Sequence, residues 1–232
     1  AKIYKVKIVE DACDALGATY NGEKIGSNGA DIVCFNFSPY MKKNICTGGM
    51  LVTNNEEIID RARLLANHAI VRDENALEYI YNVVDIGNDY SMSELNAAYI
   101  RAIVAEQDNK ISRQQAIAAI YTKALENIDH ITVPQLFRDE NPFSLYVIKV
   151  DKNRDSFAKE LAKVGIETDL HYIPLHMMSY YRTKYTLKIT SFPVALRQYQ
   201  HMMALPVSAS LSDDEVSYII SSVKDIATNK MW

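Results

Sequence analysis

The chain has 232 residues, of which 48% are hydrophobic and 23% charged, enough to bury a core in one or two globular domains and too apolar to stay disordered. A formal net charge of -4 with no Lys/Arg-rich run offers no field for a phosphate backbone, so nucleic acid is excluded as a partner. No apolar stretch is long enough to span a bilayer and the start "AKIYKVKIVED" lacks the order of a secretory signal, so no membrane association and a cytoplasmic location are expected.

In chain order, residues 5–10, 31–37 and 49–53 are short runs rich in Val, Ile and Phe, bounded by Gly, Asn and Asp, and are predicted strands. "NGEKIGSNGAD" lies between the first two and is dense in turn residues. From Asn55 the spacing of Ile58, Ile59, Ala62, Leu65 and Ala66 is helical, with Glu56 and Glu57 in the first turn where the helix dipole favours acids. "SMSELNAAYIRAIV" opens with Ser91 and Glu94 three apart, the pattern of a capping box, and leads into a helical region reaching about Asn127 that bridges two subdomains.

Beyond it, residues 130–134 and 144–150 are predicted strands, and a helix from Asp155 to Val164 is stopped by Gly165. "IETDLHY" reads as a further strand, and helices are predicted from Pro193 to Met203 and from Ser212, where Ser212 and Glu215 form a second capping box. The chain is α/β in its first part and α+β in its second. Three cysteines, Cys13, Cys34 and Cys46, are odd in number and lack C-x-x-C spacing, which excludes a disulfide framework and a zinc site; they read as buried small apolar residues.

Two short stretches have the residue types for chemistry. Glu10-Asp11 closes an apolar strand, and carboxyl ends of strands are where open α/β sheets collect ligands; the same acid is equally at home in a plain turn. Lys42-Lys43 reads either as solvated charge in a loop or as a chemical group. Together, a strand-end Asp and a Lys about thirty residues later, after an aromatic strand, suit a pyridoxal phosphate site. There an amine binds the cofactor covalently and a carboxylate keeps the pyridine nitrogen protonated.

The ordered series "VEDACDALGATYNGEKIGSNGADIVCFNF", "KKNICTGGMLVTNN", "RARLLANHAIVRD", "GNDYSMSELNAAYI", "GIETDLHYIPLHMMSYYR", "FPVALRQYQHMMALPV" and "LSDDEVSYIISSV" resembles the DegT/DnrJ/EryC1/StrS sugar aminotransferases. The resemblance covers nearly the whole chain. It implies part of a fold-type-I pyridoxal phosphate (PLP) transferase large domain over residues 1–108, followed by a small α+β C-terminal domain over residues 109–232. It further implies transamination of a nucleotide-linked keto-sugar in cell-surface polysaccharide or amino-sugar biosynthesis, with glutamate as amino donor, by a homodimer with shared active sites.

Residue by residue, the resemblance makes Asp11 the partner of the pyridine nitrogen and puts Asp14 beside the cofactor ring. Asn36 stands where relatives carry a phosphate-binding Ser, and its amide can still donate. An ungapped count from Asn36-Phe37 to Gly48-Gly49-Met50 puts the family's lysine at Met41; the local string selects Lys43, and Lys42 is one residue from the ungapped position. Lys43 is preferred. In "GNDYSM", Asp89 replaces the Asn that reaches the phosphate from the partner subunit, and Ser91 replaces an Arg.

His171 and Tyr172 fall in "HYIPLH", beside the active site and subunit interface of relatives, and are the substrate-binding candidates. Two histidines five apart around Pro174 are not the helical pair that binds zinc, so no metal is expected. Relatives carry a long N-terminal portion before the strand that begins here, including half of the phosphate cradle, and the chain is expected to be an N-terminally truncated member. Two further readings follow: a non-catalytic homologue serving as a binding or interaction module, and a relative of the PLP-dependent sugar dehydratases that lack the lysine.

Overall fold

Ala12, Val33 and Phe35 are buried at the centre of one group of elements, and a larger apolar cluster from Ile117 to Ala227 is buried at the centre of another. In the computed structural model the chain divides accordingly into two compact units, Ala1–Asp108 and Asn109–Trp232. The structure describes residues 1–27, 29–37, 47–75, 77, 79–135, 141–170 and 172–229.

The first unit is built on a three-stranded sheet of β1 (Val9–Asp11), β4 (Ile32–Asn36) and β5 (Gly49–Val52) in the order β1-β4-β5. Two small antiparallel pairs accompany it, β2 (Thr19–Tyr20) with β3 (Glu23–Lys24) between β1 and β4 in sequence, and β6 (Ile70–Val71) with β7 (Asn82–Val83) after β5. β4 pairs in parallel with β1, Asp11 opposite Cys34, and antiparallel with β5, Asn36 opposite Gly49. The predicted strand at 5–10 is therefore shorter and later. Ahead of Val9 the backbone is engaged otherwise: Ile8 N–H donates to the Asp31 carboxylate at 2.9 Å and Ile8 carbonyl accepts from Asp31 and Ile32.

Helix α1 (Glu56–Ala66) starts where predicted, with the Asn55 side chain accepting from Ile58 N–H at 3.2 Å. Helix α2 (Glu94–Ala105) is capped by Ser93, which accepts from Asn96 N–H at 3.2 Å, and not by Ser91. Ser91 turns its hydroxyl to Asp89 instead, at 2.5 Å. The long predicted helix is also interrupted: at Glu106 the N–H is shared among several carbonyls of the preceding turn, and α3 (Gln107–Leu125) begins anew. The sequence there, "AEQDNK", is polar and gives packing no reason to keep one continuous stripe.

The second unit is an antiparallel sheet of β8 (Ile131–Thr132), β9 (Tyr146–Val150) and β10 (Met202–Leu205), in the order β10-β9-β8, with α3, α4 (Arg154–Lys163) and α7 (Asp213–Asn229) contributing to its core. The remaining helices are α5 (Ser179–Tyr185) and α6 (Pro193–His201). α4 ends before Gly165 at φ +80°, the left-handed conformation glycine adopts without cost. Two expectations fail. Met202 and Met203, predicted as the end of a helix, begin β10 instead, because pairing with β9 buries Met203 and Leu205. Among the described residues of "IETDLHY" no strand forms: only Asp169 bridges to Ala204, and Leu170 N–H is taken by the Asp169 carboxylate at 2.7 Å. Among the described residues no helix is long and apolar enough to cross a membrane.

Candidate functional site

Parallel pairing of β1 with β4 sets their carboxyl ends side by side, so Asp11 and Asn36 share one edge of the first unit's sheet. Asp11 is exposed as the last residue of β1, and the turn that follows is anchored by buried Ala12, whose N–H donates to Cys34 carbonyl at 2.9 Å. That turn brings Cys13 back onto Asp11. Its N–H donates to Asp11 Oδ1 at 3.1 Å and its thiol donates to the same carboxylate. The thiol bond first, and the N–H bond second, hold the Asp11 carboxyl below the ordinary carboxylate value. The reciprocal effect, reinforced by desolvation, pushes the Cys13 thiol up to about 11.

Cys13 and Cys34 are half-buried rather than buried, and the reading of Cys13 as an apolar filler is replaced by that of a hydrogen-bond donor. Cys46 lies outside the described residues. Asp14 is exposed in the turn after β1, close enough to Cys13 to add to its shift. Asn36 is half-buried at the end of β4.

The connection from β4 to β5 leaves from this same edge. Phe37 N–H donates to Gly48 carbonyl at 2.9 Å and closes its base, and Asn96 on α2 donates to Thr47 carbonyl at 3.1 Å. Lys42 and Lys43 fall within that connection and, with Met41, lie outside the described residues. A cavity of about 700 Å³ adjoins its end, between β4, β5, α1 and the approach to α2; Phe35, Gly49, Leu65, Tyr90 and Ser91 are among its lining residues.

Asp89 sits in the segment before α2. Its Oδ1 accepts from Ser91 Oγ at 2.5 Å and Ser91 N–H at 3.0 Å, which lowers its pKa, and His68 Nε2 is 3.9 Å from its other oxygen. The segment is locked by Gly87: a Cβ there would come within 2.4 Å of Ala69 N and 2.6 Å of His68 C. Tyr172 belongs to the second unit, where it is exposed and in the left-handed region at φ +62°; His171 lies outside the described residues.

The donor set can be tested against a pyridoxal phosphate group. An exposed carboxylate, held ionised at a strand end, fits a protonated pyridine nitrogen, and the Asn36 amide fits a phosphate oxygen. Asp89, equally held ionised, repels a phosphate dianion. Sequence reasoning missed Cys13 and Asn96. Cys13 stands two residues after the strand-end acid, the spacing at which a turn N–H returns to a carboxylate, and that spacing was the available signal.

The sequence model of the DegT/DnrJ/EryC1/StrS aminotransferase family matches residues 1–224. The spore coat polysaccharide biosynthesis protein SpsC of Bacillus subtilis is 32% identical over 94% of the chain and 59% of its own length. The dTDP-3-amino-3,6-dideoxy-alpha-D-galactopyranose transaminase of Aneurinibacillus thermoaerophilus is 31% identical over 96% of the chain and 59% of its own length. Among solved structures, Spr1654 of Streptococcus pneumoniae in its PLP form superposes with a TM-score of 0.85 at 25% identity, covering 98% of the chain and 59% of that protein. The chain thus spans about three-fifths (59%) of the length of these relatives.

Proposed function

Because the chain belongs to the DegT/DnrJ/EryC1/StrS aminotransferase family, we propose that it serves a PLP-dependent transamination of a sugar, with a nucleotide-linked keto-sugar as acceptor and an amino acid, glutamate, as donor. The observation that carries this reading is Asp11: an exposed carboxylate at the carboxyl end of a parallel pair, kept ionised by Cys13. The names of SpsC and of the dTDP-sugar transaminase support polysaccharide or amino-sugar biosynthesis as the setting. The first unit is read as part of the cofactor-binding domain and the second as the small domain; a cytoplasmic homodimer completes the proposal.

When bound, pyridoxal phosphate supplies an electron sink for the carbon that exchanges its amine. Asp11 would hold the ring nitrogen's proton by charge, and Cys13 fixes the orientation of that carboxylate. Asn36 would hold the phosphate through its amide, and Asp14, exposed in the turn after β1, would stand near the ring. Lys43, or Lys42 beside it, would be the amine that holds the group and the base that moves the proton. Tyr172 and His171 contact the sugar substrate.

The carboxylate of Asp89, held ionised by Ser91 where a phosphate contact is implied, favours a second reading, a homologue that binds or interacts without catalysis. One experiment separates the two. Pyridoxal phosphate is added to the purified protein, the visible spectrum is recorded, and borohydride reduction is followed by peptide mapping. A visible band and a reduced label on Lys43 or Lys42 are expected; a folded protein with no label overturns the aminotransferase reading.

A further inference from the structure

The second unit contains a buried titratable side chain that the proposed chemistry leaves without a task. From the bridge at Asp169 and Ala204 (N···O 3.1 and 2.8 Å) the chain leaves the sheet, and it returns through α6 into β10, the strand that holds Ala204. Between Tyr172 and Gln200 one residue alone is buried, and it is His176, 6% exposed. Its neighbours in this excursion face outward: Leu175, Tyr180, Tyr185 and Phe192 are half or more exposed. The excursion therefore has no apolar core of its own.

His176 joins its two arms. Nε2–H donates to the Ile189 carbonyl at 3.0 Å, and the imidazole lies 5.0 Å from the Phe192 ring at an interplanar angle of 54°. Because the acceptor is a backbone carbonyl, the proton is on Nε2. On the returning arm, Leu187 N–H donates to Arg182 carbonyl at 3.0 Å and Lys188 N–H to Ser191 Oγ at 2.9 Å, so that arm is ordered locally and needs a tie to the outgoing one. Closing such a loop costs conformational entropy, and a buried hydrogen bond with a ring contact offsets it.

We propose that His176 is a positioning residue: by clasping Ile189 and Phe192 it holds the excursion closed, fixes the segment that presents Tyr172, and so sets affinity for the substrate rather than the rate of chemistry. The substrate half of this proposal rests on the reading that Tyr172 meets the sugar. A histidine that merely fills space would be replaced without loss by another ring. One that acts through its donor is replaced instead by glutamine, whose amide nitrogen lies near the position of Nε2.

The test compares the full chain with His176→Phe and His176→Gln by peptide-resolved hydrogen exchange, alongside KM and kcat for a keto-sugar nucleotide. In His176→Phe, amides of residues 176–192 exchange about tenfold faster or more while β9 keeps its protection, and KM rises with kcat unchanged; His176→Gln restores both. Unchanged exchange in His176→Phe overturns the clasp, as does loosening that spreads through β9 and β10 or failure of His176→Gln to restore protection. A rise in kcat or KM alike in both variants overturns the positioning role. A wild-type chain without transaminase activity removes the proposed function and the substrate half with it, while the exchange pattern still decides the clasp.

Discussion

The core of the second unit takes in large side chains: Tyr121, Tyr146 and Leu161 are fully buried, and Tyr146 still satisfies its hydroxyl through Thr122 at 2.8 Å. In the first unit Ile3, Ile86 and Leu95 are 89%, 90% and 85% exposed, and the buried centre is the small cluster of Ala12, Val33 and Phe35. Among the described residues, β1 and β5 each leave one edge without a strand partner. Burial of apolar surface is the main favourable contribution to folding, so the second unit holds most of the stability while the first holds most of the candidate site residues. Carboxylates at strand ends are what a binding site needs and what a core avoids.

The largest test of that contrast is in the cores. Phe157→Ala, at a side chain 1% exposed, is expected to lower stability by about 3–5 kcal/mol in urea denaturation. Phe35→Ala is expected to cost less, because the three-residue cluster around it has less packing to lose; equal costs would break the comparison. Next comes Gly87→Ala. The added Cβ meets backbone of His68 and Ala69, both already at positive φ, and the cost is about 1–3 kcal/mol. Hydrogen exchange should rise across β6 and β7 and stay level in β9.

The smallest effect is the response to acid. In the first unit, Asp11, Asp31, Asp85 and Asp89 all have lowered pKa values, through hydrogen bonds from the Cys13 thiol, Lys7, Arg61 and the Ser91 hydroxyl respectively. A carboxylate whose folded pKa is depressed stabilises the fold above its ordinary value of 3.8 and loses that contribution as pH falls through the lowered value. In the second unit, Glu215, bonded by Ser212, is the described group with the same sign. Digestion by pepsin, an acid protease, as pH is lowered stepwise through the ordinary carboxylate value should therefore cut the first unit before the second. Simultaneous cleavage would show that the two units respond as one.

Where local chemistry and packing agree, the sequence was readable. Asn55 with Glu56 and Glu57 starts α1, and Ser212 with Glu215 starts α7, both bonds of that capping box being present at 2.8 and 3.2 Å. Where a distant partner decides, it was not. Met202–Leu205 is a strand because β9 lies beside it, and Ser93 displaces Ser91 as a cap because Asp89 competes for the Ser91 hydroxyl. In the candidate site, Asp11 was legible as an acid ending an apolar run, and its pairing edge with Asn36 follows from β1-β4 register. The two-residue spacing could signal the N–H tie from Cys13, but not the thiol's part in it, since nothing in a cysteine's identity distinguishes a side-chain donor from an apolar filler. The choice between Lys42 and Lys43 depends on where a gap falls and lies outside the described residues.

The turn from Asp11 to Cys13 also bears on chemical durability. A thiol raised to about 11 is ionised in only about one molecule in ten thousand at neutral pH, and the thiolate is the form that alkylating and oxidising agents attack. By lending its proton to Asp11, Cys13 is made a poor nucleophile in the same arrangement that keeps the carboxylate charged. In the proposed site, a sulfur beside a reactive carbonyl cofactor would be a liability, and the acid that Cys13 serves also passivates it.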